Sequence, residues 1–486
     1  LPLVVAAPTR ESYILDIENG TLRNVLFHST PLEELDLSGL GIRHLEKNAL
    51  DNVSTLKWLS LANNSLESLP EFMFSNLSNL EYLSLAENNL KNLEYLFVRL
   101  EKLRVLNISC NPVLHLRRGH LFGLTKSTTI LIEGNNLWSI STGFHEKWYQ
   151  LQYLPIISLD LSNNEITEIT KELLNDLPED LIYVNLRGNR IRCIWSQVIE
   201  NRHLKILNLS NNFLEKIEDG ALAKTNLTSL TFFENQLESL SFVSSLPSTL
   251  QVLVLAKNRF SSIPGGIFVN LPNLIYLNLV NNQIERLQNG VFNGLDSLQI
   301  LIITKNRLVE IERDAFNGLK QLTTLNFYQN SLTELQKGTF SGLENLKDLN
   351  LSSNKLQKIT ADLPQNLGYL HIDFNEINSL EKGSFVNVPR FTLSLTGNKI
   401  STIPSGTFDL PTLRDLYLNN NTLTMIDGDS YEGLPQLKHL LLIENQINEI
   451  QKGSCKNLAS LSILNISRNP IQKLQNGALY GLSLAR

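Results

Sequence analysis

Cysteine is scarce in this 486-residue chain. The three that occur, Cys110, Cys193 and Cys455, lie far apart and follow neither CxxC nor metal-ligand spacing, which leaves no disulfide framework or zinc site to organise the fold. Long apolar runs are missing too. None approaches the roughly 18 residues that a membrane-spanning helix requires, so no span is expected in the chain as given, and an anchor beyond Arg486 stays open. There is no basic stripe: 42 Lys and Arg against 48 Asp and Glu leave a net charge of −6, the wrong sign for a nucleic-acid binder. Catalytic signatures are also lacking, with no GxSxG, no phosphate-cradling glycine loop and no HExxH. The eight histidines are scattered, and HLRRGH at 115–120 reads as a solvated basic loop rather than a metal site. Together these gaps point away from an enzyme, a cofactor and a bound metal.

What the chain has instead is one sentence repeated. The template L-x-x-L-x-L-x-x-N-x-L returns nineteen times, from Leu32 to the copy that starts at Leu461, at a step of about 24 residues. Typical copies are LKWLSLANNSL from Leu56, LEYLSLAENNL from Leu80 and LKDLNLSSNKL from Leu346. The ninth position is Asn in every copy but the first, where it is Leu40. The L-x-L centre alternates, so it predicts a short strand with leucines inward and the x residues in solvent. One such coil cannot bury its own leucines, and stacking coils into a solenoid with a parallel sheet solves that. The inward Asn is expected to bond backbone groups left open where the chain bends.

A second mark recurs behind each strand. An aromatic six residues before the next copy, at Phe74, Phe97, Phe268, Phe292, Phe316, Phe340 and Tyr431, predicts a core stripe, with Cys455 in the same slot as an inert buried thiol. Proline forms replace this segment before Leu181, Leu250 and Leu367 and predict extended backbone there. The step from Ser127 to Ile156 is longer and carries Trp138, Phe144, His145, Trp148 and Tyr149, read as extra packing or a protruding contact loop.

Template and outer segment together resemble the typical class of extracellular leucine-rich repeat proteins, a family that includes Toll-like receptor ectodomains, chaoptin-like adhesion proteins and leureptin-like immune proteins. The resemblance implies an α/β solenoid: a curved right-handed coil of 19 to 20 repeats, with a continuous parallel sheet on its concave face. It divides the chain into residues 1–31, an N-terminal segment with a degenerate first repeat in SYILDIENGTL, and a solenoid over 32–486. The cysteine clusters that often close such solenoids are missing at both ends.

Ten N-x-S/T sequons occur, at Asn19, Asn52, Asn63, Asn76, Asn107, Asn208, Asn226, Asn350, Asn420 and Asn465; they suit an extracellular chain, secreted or attached to a cell surface. The word LNLS generates some as a by-product of strand chemistry. Between Asn226 and Asn350 there is none. That window also holds the most apolar solvent-side strand positions, Phe233, Val252, Val254, Tyr276, Val280, Ile300, Ile302 and Tyr328. We expect them to form a binding patch for a protein, glycan or lipid ligand. Innate immune recognition is the leading expectation. Cell adhesion, or a structural protein that self-associates, for instance as a homodimer, is the alternative.

Overall fold

A computed structural model describes residues 3–6, 12–27, 31–113, 123–124, 128–135, 156–170, 181–359, 363–386 and 388–482. The chain packs as two compact units, one of residues 1–236 with 245–247, the other of 237–244 with 248–486.

The first unit holds nine template strands, from Glu34–Asp36 to Ser229–Thr231, and the second holds ten, from Val252–Val254 to Ile463–Asn465. Within each unit the strands pair in parallel and in register, coil on coil, as Leu35 with Leu59 and Leu277 with Leu301 illustrate. The central leucines of these pairs have no exposed surface. Each strand is only about three residues long because the chain must turn to complete its coil.

The asparagines do what the template requires. Asn306 is buried, and its Nδ2 donates to the carbonyls of Leu279 (2.9 Å), Ile303 (3.3 Å) and Thr304 (3.2 Å) while its Oδ1 accepts from the Ile284 amide at 3.1 Å. One side chain thereby satisfies main-chain groups of its own coil and of the coil before it. Asn282 repeats the arrangement one coil earlier. The ladder falters at Asn135, whose buried Nδ2 has no partner among the described residues.

The eighth template residue, just before the Asn or, in the first copy, Leu40, adopts left-handed backbone in all nineteen copies, from Gly39 (φ 68°) through Lys305 (φ 55°) to Arg468 (φ 56°). A turn this tight favours Gly and Asn, yet Phe374 sits there at φ 54°.

Behind the strands the aromatic stripe is a stack. Rings of Phe268, Phe292, Phe316 and Phe340 follow one another at 5.9 to 6.1 Å and nearly parallel, all buried. Phe385 and Phe408 continue the theme as a pair at 5.8 Å. Cys455 is fully buried in its slot, and burial pushes its thiol up from the ordinary value.

Three expectations change. No described residue is α-helical: the backs are turns, two-residue strands such as Arg286–Leu287 and short 3-10 helices, so the solenoid is a β-solenoid. The proline form before Leu250 follows a 3-10 helix, Ser241–Ser245, rather than purely extended chain. The stretch read as a degenerate first repeat is an antiparallel hairpin, Ser12–Glu18 with Thr21–Phe27, turned by Asn19 and Gly20 at φ 53° and 78°. Its second strand pairs in parallel with His44–Leu45, and Tyr13 Oη donates to the Asp36 carbonyl at 3.1 Å. ENGT is a hairpin signal that leucine spacing does not carry.

Candidate functional site

The third, fifth and seventh template residues project from the strand face, between leucines that point inward. In the second unit the register sets Val252 beside Tyr276, Tyr276 beside Ile300 and Ile300 beside Thr324. The adjacent column runs Val254, Asn278, Ile302, Asn326. Amide donation from Lys257 to the Val280 carbonyl (2.7 Å) and from Lys305 to the Tyr328 carbonyl (2.9 Å) carries the register to the seventh position. All seven candidates in this unit are half-buried: their flanks pack on neighbouring side chains and their outer edges meet solvent. With strands about 4.8 Å apart, Val252, Tyr276 and Ile300 form a contiguous apolar row, which Val254, Ile302, Val280 and Tyr328 flank among Asn278, Thr304 and Asn326. Phe233 is also half-buried but belongs to the first unit, so it is not counted with that row.

The sequon asparagines at the strand ends share a local geometry. Asn107, Asn208, Asn350 and Asn465 occupy the fifth position, and each Oδ1 accepts from the amide two residues on, at 2.9 to 3.1 Å. This Asx bond closes the strand end. Asn278 and Asn326 make the same bond, to Val280 at 3.0 Å and Tyr328 at 2.9 Å. In these two coils the structural Asn is kept, but the hydroxyl residue that would complete a sequon is replaced by an apolar one. The ten sequon asparagines are all exposed or half-buried.

Beyond the apolar row the face turns polar. The Asp348 carboxyl is lifted above the ordinary range by its burial, against the pull of the His371 charge. Asp373 accepts from the Thr396 amide at 2.8 Å and from the Ser394 hydroxyl. Asp415 meets His439 Nδ1 at 2.6 Å, and Tyr369, Phe391 and Arg414 form a sequence of ring and cation contacts at 5.7 Å each. Reading for apolar residues alone missed this strip, although its members occupy fixed outward positions of the template: second for Phe391 and Arg414, third for Asp348, Tyr369, Asp415 and His439, fifth for His371 and Ser394, seventh for Asp373 and Thr396.

The cysteines lend no support to catalysis. Cys110 is exposed in the left-handed slot, where desolvation, helped by Glu87 and Glu133, holds its thiol up and disfavours the thiolate. Cys193 lies within the strand Cys193–Ile194 on the back, beside an exposed Trp195 that Lys216 overlies at 5.9 Å. Among the described residues, no group of three or more His, Cys, Asp or Glu is placed to hold a metal, and no helix is long and apolar enough to cross a membrane. HLRRGH and the aromatic cluster from Trp138 to Tyr149 lie outside the described residues.

Comparison with known proteins agrees with the repeat fold. A family model described as "Leucine rich repeat" matches residues 30–90, 54–113, 248–308, 296–356 and 391–447, together more than half the chain. A "BspA type Leucine rich repeat region" model matches 122–246. Human keratocan is 32% identical over 257 residues, covering 51% of this chain and 59% of keratocan. Human oligodendrocyte-myelin glycoprotein is 29% identical over 167 residues, 31% of this chain and 36% of that protein. The chain thus spans less than two thirds of the length of the curated relatives it matches. Among solved structures, Toll in the Drosophila Toll–Spatzle complex superposes with a TM-score of 0.66 at 18% identity, covering 95% of this chain and 73% of that one. A leucine-rich repeat protein of Leptospira interrogans gives 0.59 at 25% identity, covering 87% and 93%. At these identities the likeness to Toll speaks to the fold alone.

Proposed function

Because this chain belongs to the leucine-rich repeat family, we propose that it is an extracellular, non-catalytic recognition protein that binds a protein or microbial-surface ligand on the strand face of its second unit, with innate immune recognition as the setting. The observation that carries this reading is the pairing of an apolar row with the loss of glycan acceptors. Val280 and Tyr328 stand where Ser109, Ser210, Ser352 and Ser467 stand in glycosylatable coils, while the Asx bond beneath them is unchanged. Strand stability asks for the Asn; it does not ask for the absence of a hydroxyl. A rigid face of this kind presents side chains at low ordering cost.

A glycan placed inside the row tests the reading. Val280→Thr is nearly isosteric and converts Asn278-Leu279-Val280 into a sequon, and Thr304 and Thr396 already occupy the same template position. Partners recovered from extracellular fluid by the intact chain and identified by mass spectrometry should be lost from Val280→Thr and kept by Val280→Ala, which creates no acceptor. Undiminished recovery with a glycan mapped to Asn278 rejects the site.

A further inference from the structure

The apolar row has a charged border on one side only. The four strand segments that carry it, 250–259, 274–283, 298–307 and 322–331, contain four cations, Lys257, Arg259, Lys305 and Arg307, and no Asp or Glu, in a chain whose net charge is −6. All four are exposed and occupy the eighth and tenth template positions, beyond the C-terminal ends of the strands. On the opposite border the second-position residues Gln251, Ile275, Gln299 and Thr323 are uncharged.

Elsewhere three of the four cations at these positions meet a carboxylate in the adjacent coil, and the fourth, Lys355, has no ion-pair partner among the described residues. Arg190 pairs with Glu165 at 2.9 Å, Lys399 with Glu376 at 3.4 Å, and Arg468 with Glu444. Arg259 has Glu238 at 3.8 Å. Lys305 and Arg307 have no ion-pair partner among the described residues, and the reason lies in their neighbours: Asn281 and Gln329 flank Lys305 in its column, Gln283 and Ser331 flank Arg307.

We propose that the partner on the apolar row is a protein whose contact carries apolar side chains bordered on one side by carboxylates, which meet Lys305 and Arg307. This rests on the reading of the row as the binding site and adds the partner's charge and orientation. The row supplies the burial that holds a complex together, and border cations steer encounter and fix which way round the partner sits. A polyanion fits less well. Tight nucleic-acid binding draws on about six to ten phosphate contacts, against two unpaired cations here, and it would draw nothing from Ile300 or Ile302.

Selection of a random 20-residue peptide display library on the intact glycosylated chain tests this. Selected peptides should be rich in Asp and Glu beside apolar residues. Lys305→Glu with Arg307→Glu should cut their association rate at low salt at least tenfold, with a smaller change in dissociation, and the difference should shrink as salt is raised. The reversal uses residues the scaffold already accepts: Glu87, Glu234 and Glu444 hold the same left-handed slot at φ 53°, 59° and 58°, and Glu165 and Glu376 the tenth position. Selected peptides that need Ile300 but show no acidic bias, or that ignore the reversal, overturn the charge assignment and leave the row standing. A selection that yields only peptides indifferent to Ile300→Asp, or no peptide at all, sinks the row itself. Heparin oligosaccharide that binds equally well to Ile300→Asp and is lost on reversal overturns the proposal in favour of a polyanion.

Discussion

At the scale of single residues, the ninth-position Asn does the most for stability. Asn306→Ala removes four hydrogen bonds at once and leaves the buried Ile284 amide without its acceptor, while the carbonyls of Leu279, Ile303 and Thr304 keep donors in Asn282, Asn330 and the Asn281 amide. A buried group left unpaired costs about 1 to 3 kcal/mol, and urea titration should show a loss of that size. Asp348 offers a test with a sign. Its folded pKa is raised by burial, so the carboxyl favours the folded state while protonated. That contribution is complete below the unfolded value near 3.9 and disappears as pH rises through the folded value. Asp348→Asn should therefore raise the melting temperature at pH 7 and leave it unchanged near pH 3. The structural role of Asn was legible in the sequence because it repeats. The left-handed residue before it does not follow from leucine spacing, although Gly39, Gly134, Gly188, Gly397 and five asparagines at that position carry the signal. Leucine spacing speaks of burial and is silent on backbone sign.

At the scale of the coil, the aromatic stack ties each back to the next. Phe292 is buried between Phe268 at 6.0 Å and Phe316 at 5.9 Å, so Phe292→Ala opens a cavity that two rings border. A cost of about 3 to 5 kcal/mol is expected, read from thermal or urea unfolding. The stripe was predicted from spacing, and so were its burial and inertness. Helix on the back was not foreseeable either way: segments such as QNGVFNGLDS turn too often for four-residue hydrogen bonding, and Gly290 and Gly294 at φ 64° and 95° complete the tight turns instead. The hairpin at 12–27 was missed because a repeat search weighs leucines, while its decisive residues are Asn19 and Gly20.

At the scale of the whole molecule, the number of strands and their parallel register followed from the template, since nineteen copies gave nineteen strands. The division into two compact units did not, because the template runs through residues 227–260 without a change in pattern. The candidate row was legible for a definite reason: outward positions have a fixed phase relative to the leucines, so their chemistry can be read from the sequence. The border charges were in plain view as well, yet whether a cation is paired depends on the coil beside it. The same asparagines carry one further consequence. The side chains of Asn282, Asn306 and Asn330 bond main-chain atoms of the preceding coil, so this joint does not depend on the identity of a neighbour's outward side chains. Duplication or loss of one whole coil would therefore preserve the joints on either side. Over evolution, the distance between two contact residues can be reset in increments of one strand spacing, about 4.8 Å, without redesigning either contact.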